Sequence, residues 1–269
     1  MATLEEKYAA LKAELGAMGR VGVAFSGGVD SSLLLKVAHD TLGGNAVALS
    51  ASLRSVPEFE RREAAEFCRA NSIEQIICEI NELELPAFAA NLPDRCYHCK
   101  LKVLETLKTA AAKRGITQLV EGSNVDDLSD YRPGRRAVIE CGVASPLLNA
   151  GLTKAEIREL SARLGLSTFD KPAYACLASR IPVGENITEE KLRRVERAEE
   201  YLMSLGIRQM RVRAHNDLAR IEVTPESIEL LAASPMREEL SHRLKALGFR
   251  YVSLDLTGYK TGSMNPESV

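Results

Sequence analysis

Residues 26–32 read SGGVDSS and follow directly on the apolar run VGVAF. A strand that ends in Ser26, Gly27 and Gly28 and turns into a helix at Asp30, Ser31 and Ser32 makes an anion cradle. The glycines admit close approach of backbone N–H groups, and the helix start adds unpaired donors and a positive dipole end. Phosphate suits such a cradle. The stretch lacks the lysine of a Walker A loop and the GxGxxG spacing of a dinucleotide fold. Asp30 suits a helix cap or a contact to Mg2+ on a bound phosphate. On spacing alone, a glycine turn before a capped helix stays open as the plainer reading.

The cysteines form a second group. In PDRCYHCK, Cys96 and Cys99 have two residues between them, with a helix expected to begin at or just after the pair, where thiolates are stabilised. One CxxC is shared by zinc sites, iron–sulfur sites and redox pairs. Zinc wants four ligands, and no second CxxC or CxxH accompanies it. Cys176, in AYACLASR, falls in a stretch without periodicity, as a presented thiol or as a small loop residue. Cys68, in a helical pattern, and Cys78 and Cys141, in apolar strand-like runs, read as buried hydrophobes.

A third group is cationic. RQMRVRAHNDLARIEVT alternates like a hairpin, and with Asn216-Asp217 as a two-residue turn Arg213 lies opposite Arg220 and Arg211 opposite Glu222. Val212, Ala214, Ala219 and Ile221 then share the apolar face. Two facing arginines repel unless an anion sits between or beside them, and a nucleotide monophosphate is such an anion. An ordinary solvated sheet face is the alternative. Arg180, next to Ser179 in the Cys176 loop, is a further candidate anion ligand.

These groups need elements to position them. From residue 20 to about 125, short β-branched runs (VGVAFS, NAVALSA, EQIICEI, QLVEGS) alternate with helical periods, and RRAVIECG reads as one more strand. Such alternation predicts an α/β fold, a doubly wound parallel sheet with ligands at the carboxyl ends of its strands. After the helix TKAEIRELSARLGL, the Pro-, Gly- and Ser-rich stretch STFDKPAYACLASRIPVGENIT reads as a functional loop and then a boundary. This gives a domain over 1–184 and a smaller C-terminal α/β domain over 185–269. In the latter, EEKLRRVERAEEYLMSLG places Leu192, Val195, Ala198, Leu202 and Leu205 on one helix face, a second helix breaks at Pro235, and FRYVSLDL is a last strand.

The chain has 269 residues, 45% of them hydrophobic, which is ample for a packed core. No stretch approaches the apolar length that spans a bilayer, and MATLEEKYAALKAELGAMG reads as an amphipathic helix rather than a signal peptide, which favours the cytoplasm. A net charge of −2 without a long Lys/Arg block gives no electrostatic case for nucleic acid and favours a small substrate.

SGGVDS in this strand-to-helix context resembles the pyrophosphate loop of the PP-loop ATP pyrophosphatases. Those enzymes cleave ATP between its α and β phosphates and adenylate a carboxyl or carbonyl oxygen. The resemblance implies that Ser50 and Ala51 face the adenosine and that EGSNVDD, residues 121–127 with Gly122 and Asp126, closes the site. Asp126 is then a metal- or phosphate-side residue, or only a capping acid. Together with RCYHCK, ACLASR, ITEEKLRRVERAEEYL and RQMRVRAH in that order, the chain resembles over nearly its whole length the LarE family. Those are PP-loop sulfur transferases that mature the nickel-pincer nucleotide cofactor of lactate racemase.

That resemblance implies adenylation of pyridinium-3,5-biscarboxylic acid mononucleotide by ATP, then displacement of AMP by sulfur. In one family type the residue matching Cys176 gives up its own sulfur and becomes dehydroalanine. In the other, three cysteines hold a 4Fe-4S cluster whose open iron carries a sulfide. Cys96, Cys99 and Cys176 fit the second type, since three thiolates leave one iron without a protein ligand. The resemblance also implies that Arg211 and Arg213 bind substrate or phosphate, and that the protein is a homo-oligomer built from dimers. A PP-loop tRNA thiolase and an ATP-binding redox sensor are the competing readings. The near-neutral charge weighs against the first, and pyrophosphate release from ATP discriminates against the second.

Overall fold

The computed structural model describes residues 2–128, 134–172 and 174–260. In chain order the elements are α1 (Leu4–Met18), β1 (Val21–Ala24), α2 (Val29–Leu42), β2 (Ala46–Ser52), α3 (Glu58–Ala70), β3 (Gln75–Glu79), α4 (Pro86–Ala89) and α5 (Arg95–Ala112). There follow β4 (Gln118–Val120), α6 (Gly134–Glu140), α7 (Pro146–Asn149), α8 (Lys154–Arg163), α9 (Glu189–Ser204) and β5 (Met210–His215). The chain ends with β6 (Leu218–Val223), α10 (Pro225–Ala232), α11 (Met236–Ala246) and β7 (Tyr251–Leu254). Two compact units result, Met1–Asn81 with Cys96–Ala173, and Glu82–Arg95 with Tyr174–Val269.

The first unit is the expected parallel sheet, with strand order β3-β2-β1-β4. VGVA and AVALS are buried along almost their whole length, as strands covered on both faces must be. On one face α1, α2, α3 and α8 pack through Leu11, Leu15, Leu33, Val37, Phe67 and Leu160; on the other, α5 and α6 pack Leu104, Leu107, Ala137 and Val138 against Val47, Leu49 and Leu119. Capping boxes start α1 (Thr3 with Glu6) and α8 (Thr153 with Glu156), each satisfying two otherwise orphaned donors.

RRAVIECG is not a strand. It forms α6, with Ala137 and Val138 turned inward, Ile139 69% exposed, and Arg136 paired with Glu140 one turn on. A strand buried on both faces has no place for Arg135, Arg136 and Glu140, whereas a helix puts them on its wet side. The residue that extends the sheet beyond β4 is Ala144, through one parallel bridge to Val120. Cys141 accordingly follows a helix.

In the second unit β5 and β6 form the expected antiparallel hairpin, with Arg211 opposite Glu222, Arg213 opposite Arg220 and Ala214 opposite Ala219. Asn216 adopts φ 51 at the turn. β7 adds parallel to β6 after the crossover through α10 and α11, which part at Pro235 as expected. Leu192, Val195, Ala198 and Leu202 of α9 are buried, while Leu205, past the helix end, is only half-buried. The short segment containing α4 belongs here because Asn91, fully buried, donates to the carbonyls of Ile181 (3.1 Å) and Pro182 (2.7 Å). Its carbonyl accepts from Gly184 (3.1 Å), and Ala89 accepts from Ile187 (2.8 Å). Among the described residues no helix is long and apolar enough to cross a membrane.

Candidate functional site

The glycine loop lies at the carboxyl end of β1 in the first unit. Gly27 takes φ +75, and a Cβ there would stand 2.9 Å from Ala64 Cβ on α3, so any side chain would push the loop off that helix. Gly122, in the segment after β4, is equally tight: a Cβ would meet the Ser31 amide nitrogen at 3.1 Å. The loop is braced from within. Ser31 Oγ donates to the Gly28 carbonyl (3.2 Å), accepts from the Ser26 amide (3.3 Å) and lies 3.2 Å from Ser26 Oγ. Gly28 is the N-cap of α2, and no side chain caps that helix. The first-turn amides thus keep the donor character that an anion requires.

Asp30 sits in the first turn of α2 and is not its cap. It receives Asn124 Nδ2 (3.3 Å) and forms a salt bridge with Lys154. Asp126 accepts the backbone N–H of Lys154 (2.6 Å), at the start of α8. Ser50, buried near the end of β2, accepts from Gln75 (2.9 Å). Two lysines that the sequence reading passed over stand at this loop: Lys154, and Lys171, which donates to the Gly27 carbonyl (3.0 Å). Lys154 lies within a readable capping box, directly after Thr153, but nothing local announces Lys171, which comes from the aperiodic stretch.

The cysteines divide by environment. Burial pushes the Cys68 thiol up to about 12 and raises those of Cys78 and Cys141. Cys96 and Cys176 are exposed and Cys99 is half-buried. α5 begins at Arg95 and so takes in the CxxC pair, whose i, i+3 spacing puts both residues on one helix face. In the native protein at pH 8, a charged alkylating reagent is expected to modify Cys96 and Cys176 at least tenfold faster than Cys68, read by peptide mass spectrometry over time. Equal rates would contradict this division. Among the described residues no group of three or more His, Cys, Asp and Glu side chains is gathered to hold a metal ion.

Cys176 precedes a 3-10 turn, Leu177–Arg180, whose Leu177 and Ala178 are buried. Arg180, with no exposed surface, forms a two-pronged pair with Glu199 on α9 (2.9 Å at both prongs). Its remaining terminal nitrogen donates to the carbonyls of Ala175 (2.5 Å) and Cys176 (3.1 Å). Arg180 therefore holds the backbone that presents the thiol. On the polar face of the hairpin Arg211, Arg213 and Glu222 are all less than a tenth exposed, while the Arg220 side chain is about a third exposed. The facing arginines do have an anion between them, and it is internal. Glu222 accepts from Arg213 (2.8 Å) with one oxygen and from Arg220 (2.9 Å) with the other. Arg213 also donates to the Ser179 carbonyl (3.0 Å), while Arg211 bonds the Met210 carbonyl (2.7 Å) beneath the Tyr259 ring. Burial, then the nearby Arg180, lowers the Arg211 pKa. Glu199 was missed because it reads as an ordinary helix acid, and Glu222, placed opposite Arg211, was not recognised as the partner of Arg213 and Arg220.

His215, next along this face, is held below the usual histidine pKa, first by burial and then by Arg220. The unfolded chain takes up a proton near pH 6.5 that the folded protein accepts only at lower pH. Unfolding therefore binds protons in that window, so stability falls as pH drops through about 6.5 towards the folded value. The unfolding free energy measured from pH 7.5 to 5.5 is expected to have a shallower slope in His215→Gln, and an unchanged slope would exclude this residue as its source.

The parallel α/β sheet with SGGVDS at the carboxyl end of β1 is that of a PP-loop domain, as the match of a family model described as asparagine synthase to residues 5–119 supports. Relatives match nearly end to end. The uncharacterized protein slr1717 of Synechocystis is 44% identical over 97% of this chain and 98% of its own length. The pyridinium-3,5-bisthiocarboxylic acid mononucleotide synthase of Lactiplantibacillus plantarum is 38% identical over 98% and 96%. The uncharacterized protein MJ0830 of Methanocaldococcus jannaschii is 28% identical over 90% and 91%. The chain belongs to the LarE family of PP-loop proteins.

Proposed function

We propose that this protein is an ATP-dependent sulfurtransferase that converts carboxylates of pyridinium-3,5-biscarboxylic acid mononucleotide to thiocarboxylates. The observation that carries the reading is a thiol presented on a loop whose carbonyls are riveted by a buried arginine, in a chain that also builds an uncapped glycine loop for phosphates. The near full-length likeness to a synthase named for the bisthiocarboxylic product supports it.

In this reading the triphosphate of ATP lies on Ser26, Gly27, Gly28 and the first turn of α2, with Ser50 on the adenosine side. Asp30, paired with Lys154, would hold Mg2+, which would supply positive charge against the negative charge developing on the phosphates, and Gly122 and Asp126 close the loop side. A substrate carboxylate oxygen attacks the α phosphorus, and pyrophosphate leaves. The acyl adenylate has AMP in place of an oxide that cannot depart. A sulfur nucleophile then forms the C–S bond at the carbonyl carbon while the C–O bond to AMP breaks. Arg211 and Arg213 serve the substrate's phosphate or its anchoring backbone, and Arg180 keeps Cys176 in register.

Cys96, Cys99 and Cys176 are the thiols assigned to a 4Fe-4S cluster, since three thiolates leave one iron open for a sulfide, whereas burial raises the thiol pKa of Cys68, Cys78 and Cys141. When bound, such a cluster would supply sulfide and be reusable. The protein works on a small nucleotide in the cytoplasm, as a homo-oligomer and without nucleic acid. The test is iron and acid-labile sulfide content of protein purified without oxygen, with intact mass after one turnover. Cluster-level iron and unchanged mass support this reading. No iron, with loss of one hydrogen sulfide at Cys176, replaces the cluster by a sacrificial cysteine. No thiocarboxylate at all overturns the function.

A further inference from the structure

We propose that Lys171 is the cation that reads the phosphates of ATP at the glycine loop, exchanging its resting partner Glu63 for a phosphate oxygen when nucleotide binds. This rests on the ATP-binding reading of the loop and adds to it a ligand from outside the strand–loop–helix motif. Lys171 Nζ donates to the Gly27 carbonyl at 3.0 Å and stands 2.8 Å from Glu63 Oε2.

The backbone under this lysine is fixed. Arg158 on α8 donates to the carbonyls of Phe169 (2.6 Å) and Lys171 (2.9 Å), and the Lys171 amide bonds the Thr168 carbonyl (3.1 Å). Only the tip can change partners. An ammonium carries three donors, and Gly27 with Glu63 accounts for two. The Lys171 side chain is 11% exposed but Glu63 is 52% exposed, so its partner on the wet side forms a weak, screened pair that a polyanionic phosphate chain outcompetes. Glu63 is adjacent to Ala64, the residue against which Gly27 packs, which places the ion pair at the rim of the loop.

The Gly27 contact also has a geometric effect. A trans peptide is planar, so a carbonyl held by Lys171 directs the Gly28 N–H of the same unit the opposite way, towards Ser26 Oγ at 3.4 Å. One ammonium thus orients a loop donor and brings positive charge to the same loop. A purely structural strut would tie two protected groups; this one ties the loop to an exposed acid.

The test is equilibrium binding of MgATP, inorganic pyrophosphate and AMP to the full chain and to Lys171→Met, Lys171→Arg and Glu63→Gln. Lys171→Met is expected to weaken ATP and pyrophosphate about 10- to 100-fold, the range of a charged hydrogen bond, and to leave AMP within about twofold. Lys171→Arg should recover most of the loss, and Glu63→Gln should bind ATP as well as or better than the parent. Unchanged ATP affinity in Lys171→Met, or an equal loss for AMP, overturns the inference. So does weaker ATP binding in Glu63→Gln, a half-exposed position that holds the test if Lys171→Met does not fold. A parent protein that binds no adenine nucleotide overturns instead the ATP reading of the loop.

Discussion

Cys176→Ala is expected to abolish thiocarboxylate formation, at least 1,000-fold below the parent, while pyrophosphate release from ATP with substrate falls by less than about threefold. The two halves of the chemistry use different parts of the chain. Adenylation needs the glycine loop and the start of α2, which belong to the first unit, whereas Cys176 belongs to the second. Sulfur transfer needs a thiolate at one place, and the exposed Cys176 thiol is the group whose backbone is held by Arg180. Because the Cys176 side chain is exposed, the substitution is expected to leave stability within about 0.5 kcal/mol. Measurement of pyrophosphate and thiocarboxylate in the same reaction separates the steps. Equal loss of both products would place Cys176 in adenylation, and retention of thiocarboxylate would remove it from the mechanism.

Glu199→Ala should be the most damaging single change to the second unit. Glu199 Oε1 accepts from Arg180 Nε and from the Val212 amide, both at 2.9 Å, and Oε2 accepts from Arg180 Nη2 at 2.9 Å. Truncation leaves the guanidinium of Arg180 without its counter-charge at a position closed to water. Stranding a buried charge costs about 3–5 kcal/mol, a fall in melting temperature on the order of 10 °C or more. Urea unfolding reads this directly. The double substitution Arg180→Met with Glu199→Leu should recover much of the stability, because neither charge then needs a partner. It should not recover sulfur transfer, since the Ala175 and Cys176 carbonyls have lost their donor. A Glu199→Ala protein within 1 kcal/mol of the parent would mean that Arg180 finds water.

The hairpin register was legible because Asn-Asp tolerates positive φ and sits between two alternating runs; one residue of slip would have put Val212 and Ile221 among the arginines. The parallel sheet was legible for a similar reason: its strands are unbroken apolar runs. The fate of the arginine face was not. Alternation says that Arg211 and Arg213 share a side, but what covers that side includes the turn at 177–180, some 30 residues upstream, and the neutralising acid is Glu222, their own cross-strand neighbour. Facing arginines call for an anion, and Glu222 is one that the fold itself supplies. RRAVIECG was misread because Ala-Val-Ile suits a strand, while the pairing of Arg136 with Glu140 that favours a helix is visible only at a spacing of four. Lys171 has no local signature at all, because a lysine becomes a loop ligand only through the fold that brings it to Gly27.

The excursion of residues 82–95 into the second unit has a consequence for synthesis. Asn91 emerges from the ribosome roughly 90 residues ahead of the carbonyls and amides at 181–187 that it is to bind, a wait on the order of 5 to 20 s at ordinary elongation rates. Within that interval the rest of the first unit, Cys96–Ala173, is made. The nascent chain can therefore fold its first unit while the strip at 82–95 still lacks its partners. Translation itself imposes an order: the phosphate-handling sheet can fold before the half that presents Cys176 can begin.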